Sequence, residues 1–365
     1  MVILVLPLFA LEITGSYASA SLAMAMFGPG TLLADIPAGM LISRLGVRPV
    51  MLLGILLMAS AAFIAALAGP AYFLGIAVFV LGMGRGFVML SRMAYITDIA
   101  QGKIGQAMSA VGGAMRVGVF LGPIVAGFIA KYFGFTPALM IAGLVIGSTI
   151  LFIGFLSGVS RPTAAEHGNN PFKSVKSVLI KYKKVFLTAG TAVIGLTVIR
   201  SVRLIIIPLW GDSIGLDEAQ IGLIAGVPMG LEMFMFYPVG LIMDRFGRKW
   251  VSVPCLGIFS FALALIPFCS SFTALMAVVL VMGFGNGLGS GIFLTLGADF
   301  SPSEGRGEFL GVWRLFGDTG STTGPFLISV IMEALTLTFA TLTAAAIGLT
   351  GALIMLFFVK ESRAK

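Results

Sequence analysis

Asp35, Glu232 and Asp318 are carboxylates set inside long apolar runs, and Arg85, Arg92, Arg116, Arg200, Arg203 and Arg314 stand in the same kind of surroundings. A carboxylate in an apolar cavity has its proton affinity raised toward neutral pH, and a nearby arginine lowers it again. Alternating between those surroundings lets one side chain take up and release a proton, so Asp318, Glu232 and Asp35 are candidate proton carriers. Arg314 and Asp318, four residues apart on one helix face, can pair. The one histidine, His167, lies in a polar connection, which leaves carboxylates as the carriers. The competing reading is a static arginine–carboxylate pair holding helices together. The arginines outnumber the acids, so an anionic substrate has weight, with Arg116, Arg200 and Arg203 as the residues that would meet it.

The elements that must position these charges are set by composition. The 365 residues are 58% hydrophobic and 10% charged, with a mean hydropathy of +1.08. Soluble domains are closer to half apolar and a quarter charged, so a water-soluble enzyme is excluded. Many runs reach 18 apolar residues, enough to cross a hydrocarbon layer of about 30 Å as a helix. Such helices satisfy their own backbone hydrogen bonds, which lipid cannot do. A polytopic α-helical membrane protein follows. The net charge of +8 does not signal nucleic acid, because the basic residues sit in short connections. Cys255 and Cys269 lie in or at the end of one apolar run and read as packing residues, with no metal or disulfide spacing.

Apolar runs and breakers place spans at 1–13, 18–42, 49–68, 72–97, 106–130 and 136–158, then at 185–209, 219–243, 250–268, 273–298, 309–331 and 336–359. The first span rises only about 20 Å, so it reads as the outer end of a helix whose beginning is absent. Arg44, Arg48, Lys181, Lys183, Lys184, Arg245, Arg248, Lys249, Arg306 and Lys360 fall on one side with Lys103, Arg161, Lys173, Lys176, Arg363 and Lys365, against Lys131 alone on the other. The excess marks the cytoplasmic side and puts the C-terminus there, in the cytoplasmic membrane. The 159–184 stretch is the one substantial linker. Its Phe172, Val175, Val178, Leu179 and Tyr182 have helical spacing with lysines opposite, which suits a helix on the inner leaflet.

A shift of 201 superimposes landmarks of the two halves: Pro37 on Pro238, Gly39 on Gly240, Arg44 on Arg245, Gly46 on Gly247, "GMGRG" (82–86) on "GFGNG" (283–287), and Asp98 on Asp299. The chain therefore reads as two like-oriented halves, 1–158 and 185–365, a plan common among secondary transporters with a midplane substrate site. Depth ranks the charges. Arg116 is about ten residues, or roughly 15 Å, into its span, and Asp318 about nine residues into its own. Glu232 is near mid-depth, Asp35 lies toward the cytoplasm, and Arg200 and Arg203 lie toward the outside. A charge at the centre of a lone membrane helix costs about 2.5–3.5 kcal/mol on insertion scales, so each is a functional candidate. The glycines of "GFGNGLGSG" (283–291) lack the Lys-Ser/Thr ending of a phosphate loop, and Gly283, Gly287 and Gly291 read as a smooth packing face.

These residues carry a resemblance. "GLIMDRFGRK" (240–249) is similar to the signature between helices 8 and 9 of the major facilitator superfamily, and "GMLISRLGVR" (39–48) to its counterpart between helices 2 and 3. "GVFLGPIVAG" (118–127) resembles the Gly-x-x-x-Gly-Pro signature of helix 5 in the drug/proton antiporters, with Ala126 where glycine is usual, and "GSTTGP" (320–325) is its second-half partner. Ser43 and Val47 depart from the loop signature. Val78 stands where the family's helix 4 arginine is usual, and Arg85 lies two turns on.

The resemblance implies an all-α membrane protein of two six-helix bundles, twelve helices with the first truncated, related by a pseudo-two-fold axis. It implies alternating access, with Gly39, Arg44, Gly46, Arg48, Gly240, Asp244, Arg245, Gly247, Arg248 and Lys249 forming a cytoplasmic gate. Asp244 would accept hydrogen bonds from Arg245 or Arg248 there. Gly118, Gly122, Pro123, Gly127, Gly320, Gly324 and Pro325 form the motif of helices 5 and 11. The expected activity is proton-coupled efflux of a hydrophobic small molecule. Uptake of a small organic anion, or a non-transporting sensor or scaffold, are the alternatives. No cofactor, metal or nucleic acid is expected: an ion gradient supplies energy, the bilayer and a small molecule are the partners, and the chain acts as a monomer.

Overall fold

The computed structural model describes residues 1–68, 71–99, 104–153, 177–302 and 306–361, and these are helical apart from short turns. The first half holds α1 (Val2–Thr14), α2 (Tyr17–Ala25), α3 (Phe27–Leu45), α4 (Val47–Ala66), α5 (Ala71–Ile99), α6 (Ile104–Phe133) and α7 (Phe135–Ile153). The second holds α8 (Thr191–Ser213), α9 (Glu218–Phe246), α10 (Lys249–Leu265), α11 (Phe272–Leu288), α12 (Ile292–Phe300), α13 (Arg306–Ala334) and α14 (Leu337–Phe357). A π-helical turn, Phe186–Gly190, leads into α8. Two compact units result, Met1–His167 with Asp217–Leu223, and Gly168–Leu216 with Ile224–Lys365.

Twelve spans were expected, and each has helix at its place. Eight helices among the described residues are long and apolar enough to cross a membrane, ten when each bent pair counts as one span. Val2–Thr14 is shorter. α13 is long enough but carries Arg306, Glu308, Arg314, Asp318 and Glu333 together with the polar run 319–324. Most of the expected linker helix, with Phe172 and Val175, lies outside the described residues, as do His167, Lys103, Arg161, Lys173, Lys176, Arg363 and Lys365. Its end, 177–181, is helical.

The repeat has a packing basis. In α5 a side chain at Gly82 or Gly86 would strike α3, at Phe27 and Ala34, and one at Gly84 would strike the Gly54 carbonyl of α4. In α11, Gly283 and Gly287 face Pro228 and Met235 of α9, while Gly285 faces Ile258 and Phe259 of α10. Outer glycines admit the second helix of each half and the middle glycine admits the third, so helix axes approach closely without a hydrophobic drive in lipid. Pro37 and Pro238, at the 201 shift, each mark a bend, 42° between Tyr17–Asp35 and Pro37–Leu45 and 50° between Glu218–Met235 and Pro238–Phe246. Proline removes a backbone donor and clashes with the preceding turn, which accounts for both.

Two of the expected spans contain local breaks in the helix, and the reading of Gly291 is corrected. The span 18–42 is interrupted at Met26, where α2 ends and α3 begins. The span 273–298 is interrupted at 289–291. There Gly291 has φ +80° and no neighbour in reach of an added Cβ, so it serves the turn and not a packing face.

Candidate functional site

The second unit gathers charges from three helices. Arg203 of α8 donates through Nη1 to Glu232 Oε1 and, at 3.4 Å, through Nη2 to Oε2. Asn286 of α11 donates through Nδ2 to Glu232 Oε2 at 2.7 Å. On its other side Asn286 Oδ1 accepts from Arg200 Nε at 2.6 Å. Arg200 Nη2 then donates to the Gly289 carbonyl at 3.0 Å. The result is one hydrogen-bonded chain, Arg203–Glu232–Asn286–Arg200–Gly289.

Local structure explains it. Glu232 is the midpoint of Glu218–Phe246, and Asn286 is the midpoint of the span Phe272–Phe300. Gly287 lets α9 and α11 approach, its added Cβ lying 3.5 Å from the Glu232 Cα. Gly289 caps α11 after Leu288, and its carbonyl accepts from the Ile292 N–H of the next turn at 3.2 Å as well as from Arg200, so backbone and side chain together meet the need for a donor inside a bilayer. The Arg203 guanidinium also lies over the Phe259 ring, 5.7 Å from its centroid, a cation–π contact.

Arg314 and Asp318 pair on α13 at 3.4 Å, as their spacing anticipates, with a third or more of each side chain exposed. Glu232 is 14% exposed against 33% for Asp318, so Asp318 is the less enclosed of the two carboxylates. Asp35 and Arg116 are half-buried in α3 and α6, and Arg85 is exposed on α5 with its guanidinium 5.3 Å from the Phe27 ring centroid.

The basic knot at 244–249 is held through Arg248. Its Nε donates to Asp299 at 2.8 Å and its Nη1 donates to the Met243 carbonyl at 2.8 Å and to Asp244 at 3.4 Å. Asp299 is 14% exposed and Asp244 is 79% exposed, so Asp299 is the shielded partner. Arg245 lies over Phe246 instead, 5.3 Å from the ring centroid. The Glu361 carboxylate accepts from the Arg248 and Lys249 backbone N–H groups at 2.7 and 3.1 Å, capping α10 where the helix dipole favours an anion. Lys249 Nζ donates to the Leu356 carbonyl at 2.8 Å. Gly247, at φ +106°, and Gly46, at φ +89°, turn the two equivalent loops. In the first loop Arg44 and Arg48 are exposed and Ser43 bonds its own helix at Met40. Gly39 and Gly240 have little or nothing near an added Cβ.

The Gly-Pro motifs differ between halves. Gly127 of α6 meets Gly222 of the 217–223 segment, whose added Cβ would also meet the Pro123 carbonyl. Gly118 faces open space and Gly122 faces Met1. Gly320 and Gly324, beside Pro325, lie against Ile194, Thr197, Val198 and Ser201 of α8. Near Gly222, Lys131 pairs with Asp217 at 3.0 Å. Asp217 accepts from the Gln220 backbone N–H at 2.9 Å, and Gln220 Oε1 accepts from the Asp217 N–H at 3.1 Å, a capping box. The Gln220 N–H, then Lys131, holds the Asp217 carboxyl below its ordinary value.

Sequence reasoning gave no role to Asn286, Asp299 or Glu361. Asn286 occupies the position equivalent to Arg85 at the 201 shift, a polar residue inside a glycine motif. Asp299 is the repeat partner of Asp98, whose side chain lies outside the described residues.

The family model described as Major Facilitator Superfamily matches residues 1–204 and 188–365. "Multidrug resistance protein MdtG" of Klebsiella pneumoniae (strain 342) is 27% identical over 254 residues, covering 68% of this chain and 61% of that protein. "Multi-drug resistance efflux pump PmrA homolog" of Lactococcus lactis subsp. lactis (strain IL1403) is 23% identical over 257 residues, covering 69% and 63%. The chain thus spans about three fifths of the length of these curated relatives. Among solved structures, a POT family transporter in complex with a thioalcohol-conjugated peptide superimposes with a TM-score of 0.75 at 12% identity, covering 94% of this chain and 88% of its own. A D-xylose–proton symporter gives 0.74 at 16%, covering 100% and 94%. At these identities the likeness establishes the fold.

Proposed function

The chain belongs to the Major Facilitator Superfamily, and on that premise we propose that it is a secondary active transporter working by alternating access, with proton-coupled efflux of a hydrophobic small molecule as its activity. The observation that carries the reading is the interrupted helix at 289–291, where Arg200 bonds the Gly289 carbonyl beside Glu232 and Asn286. Broken helices at mid-membrane, lined by polar groups, are where transporters of this kind bind their solutes. The names of the two relatives, a multidrug resistance protein and an efflux pump, support export.

In this reading Asp318 carries the proton, because it pairs with Arg314 and a third of its side chain is exposed. Releasing Arg314 favours protonation of Asp318, and re-forming the pair expels the proton. Glu232, enclosed by Arg203 and Asn286, is a fixed counter-ion. The Arg248 cluster is the cytoplasmic gate that must loosen in each cycle. Proton-coupled uptake of a small organic anion is the second reading, favoured by Arg200, whose hydrogen-bond partners are neutral.

The test is solute flux in proteoliposomes with an imposed pH gradient and a panel of dyes and organic anions. Export against the proton gradient is expected, and Asp318→Asn is expected to abolish coupling while substrate still binds. Coupling that survives in Asp318→Asn removes the residue from this role. No flux of any solute favours the sensor or scaffold.

A further inference from the structure

Building on the transporter reading, we infer that the Arg200–Asn286–Glu232–Arg203 chain recognises a lipophilic organic monoanion, with a carboxylate as its simplest form. The first ground is charge balance. Two guanidinium groups share a single carboxylate: Arg203 is matched by Glu232, whereas Arg200 bonds an amide oxygen and a backbone carbonyl. Among the described residues Arg200 makes no ion pair, so the chain carries one positive charge in excess. The Lys183–Ser213 span extends beyond the apolar run 185–209, so Arg200, expected toward the outside, sits near its middle, the depth at which a charge is most costly. An anion that binds there removes the cost, and a neutral molecule does not.

The second ground is an orphan donor. Arg203 Nε–H is buried and has no acceptor among the described residues. Buried donors of this kind are few in folded proteins and each calls for an acceptor. Asn286 cannot supply it, since its amide is oriented by its two neighbours: Oδ1 takes the Arg200 donor and Nδ2 serves Glu232. The third ground is the wall. Phe259 lies against Arg203, with Met235 beside Gly287 and Cys255 beside Gly289, which suits a ligand with a hydrophobic body and a single charged head. Asn286 thereby acts as a positioning residue: it passes Glu232's hold to Arg200 without neutralising it.

The test uses the purified full-length protein in detergent, with 1-naphthoate and its neutral counterpart 1-naphthamide as probes and thermal stabilisation as the readout. Naphthoate is expected to bind roughly ten- to a hundredfold more tightly than the amide, the range of a charged hydrogen bond. Arg200→Gln is expected to erase that preference, and Arg200→Lys to keep part of it. Asn286→Ala, which removes the link between Glu232 and Arg200, is expected to weaken the preference while naphthamide binding is unchanged. Equal binding of the two probes by the parent, or an Arg200→Gln protein that still prefers naphthoate, overturns the inference. Should Arg200→Gln fail to fold, the parent's choice between the two probes decides alone. A protein that prefers naphthoate yet moves no solute overturns the transport reading and leaves this site standing. One that moves solutes with no preference for the carboxylate overturns the site alone.

Discussion

Single residues here differ in how closely their charge is held. Arg203 and Glu232 are held: both side chains are nearly enclosed, at 11% and 14% exposure, and Asn286 closes the carboxylate's second side. Removing one partner of such a pair leaves a buried charge alone, and costs about 3–5 kcal/mol where measured. Arg203→Ala is therefore expected to lower the melting temperature sharply in detergent. The double variant Arg203→Met with Glu232→Met is expected to recover most of the loss, since paired removal leaves no stranded charge. A single variant that melts like the parent shows the pair to be dispensable. Asp217 is a simpler case. Its carboxyl is depressed by the Gln220 N–H, so its contribution is complete at neutral pH and is lost only as pH falls through the depressed value, below the usual carboxylate range.

Helices here are fitted to one another by glycine more than by large side chains. At Gly84 an added methyl group would lie 2.6 Å from the Gly54 carbonyl and 2.8 Å from the Met58 backbone nitrogen. Neither backbone atom can move without separating α4 from α5. Gly84→Ala is expected to destabilise by about 1–3 kcal/mol, the usual range for overpacking. Gly118→Ala, with open space around it among the described residues, is the matched control. It is expected to be neutral or to stabilise by up to about 1 kcal/mol, because alanine is the better helix former. Thermal unfolding of the two variants beside the parent decides this, and equal effects would remove the packing argument. The motif resemblance treats the glycines of 118–127 as alike, whereas their surroundings separate Gly127, in close contact, from Gly118.

For the whole molecule, the distribution of lysine and arginine makes a statement about sidedness that can be checked in cells. Lys131 and Asp217 share one surface, as their ion pair requires. Lys183 lies at the other end of the basic count. Cys255 and Cys269 are buried, which keeps background low when single cysteines are introduced. A membrane-impermeant maleimide applied to intact cells is expected to label Lys131→Cys and not Lys183→Cys, with the pattern reversed in inside-out vesicles. Labelling of both from one side contradicts the assigned topology.

Much of this architecture was legible in the sequence, because it depends on quantities that a sequence carries directly. Hydropathy over about twenty residues decides which segments enter lipid, and the 201-residue shift exposes the duplication in its prolines, glycines and loop charges. Even the Arg314–Asp318 pair is local, one turn apart on one helix. What required the tertiary structure is whatever joins residues distant in the chain. Glu232 meets Asn286 because glycine contacts draw α9 and α11 together, and Arg203 reaches it from α8 on a long side chain. Arg248 finds Asp299 and Glu361 across gaps of 51 and 113 residues. The interruption at 289–291 likewise lay hidden inside a run apolar enough to read as one helix. Such pairings are chosen by packing geometry and by the cost of leaving a polar group unmatched in lipid, and neither has a signature in linear order.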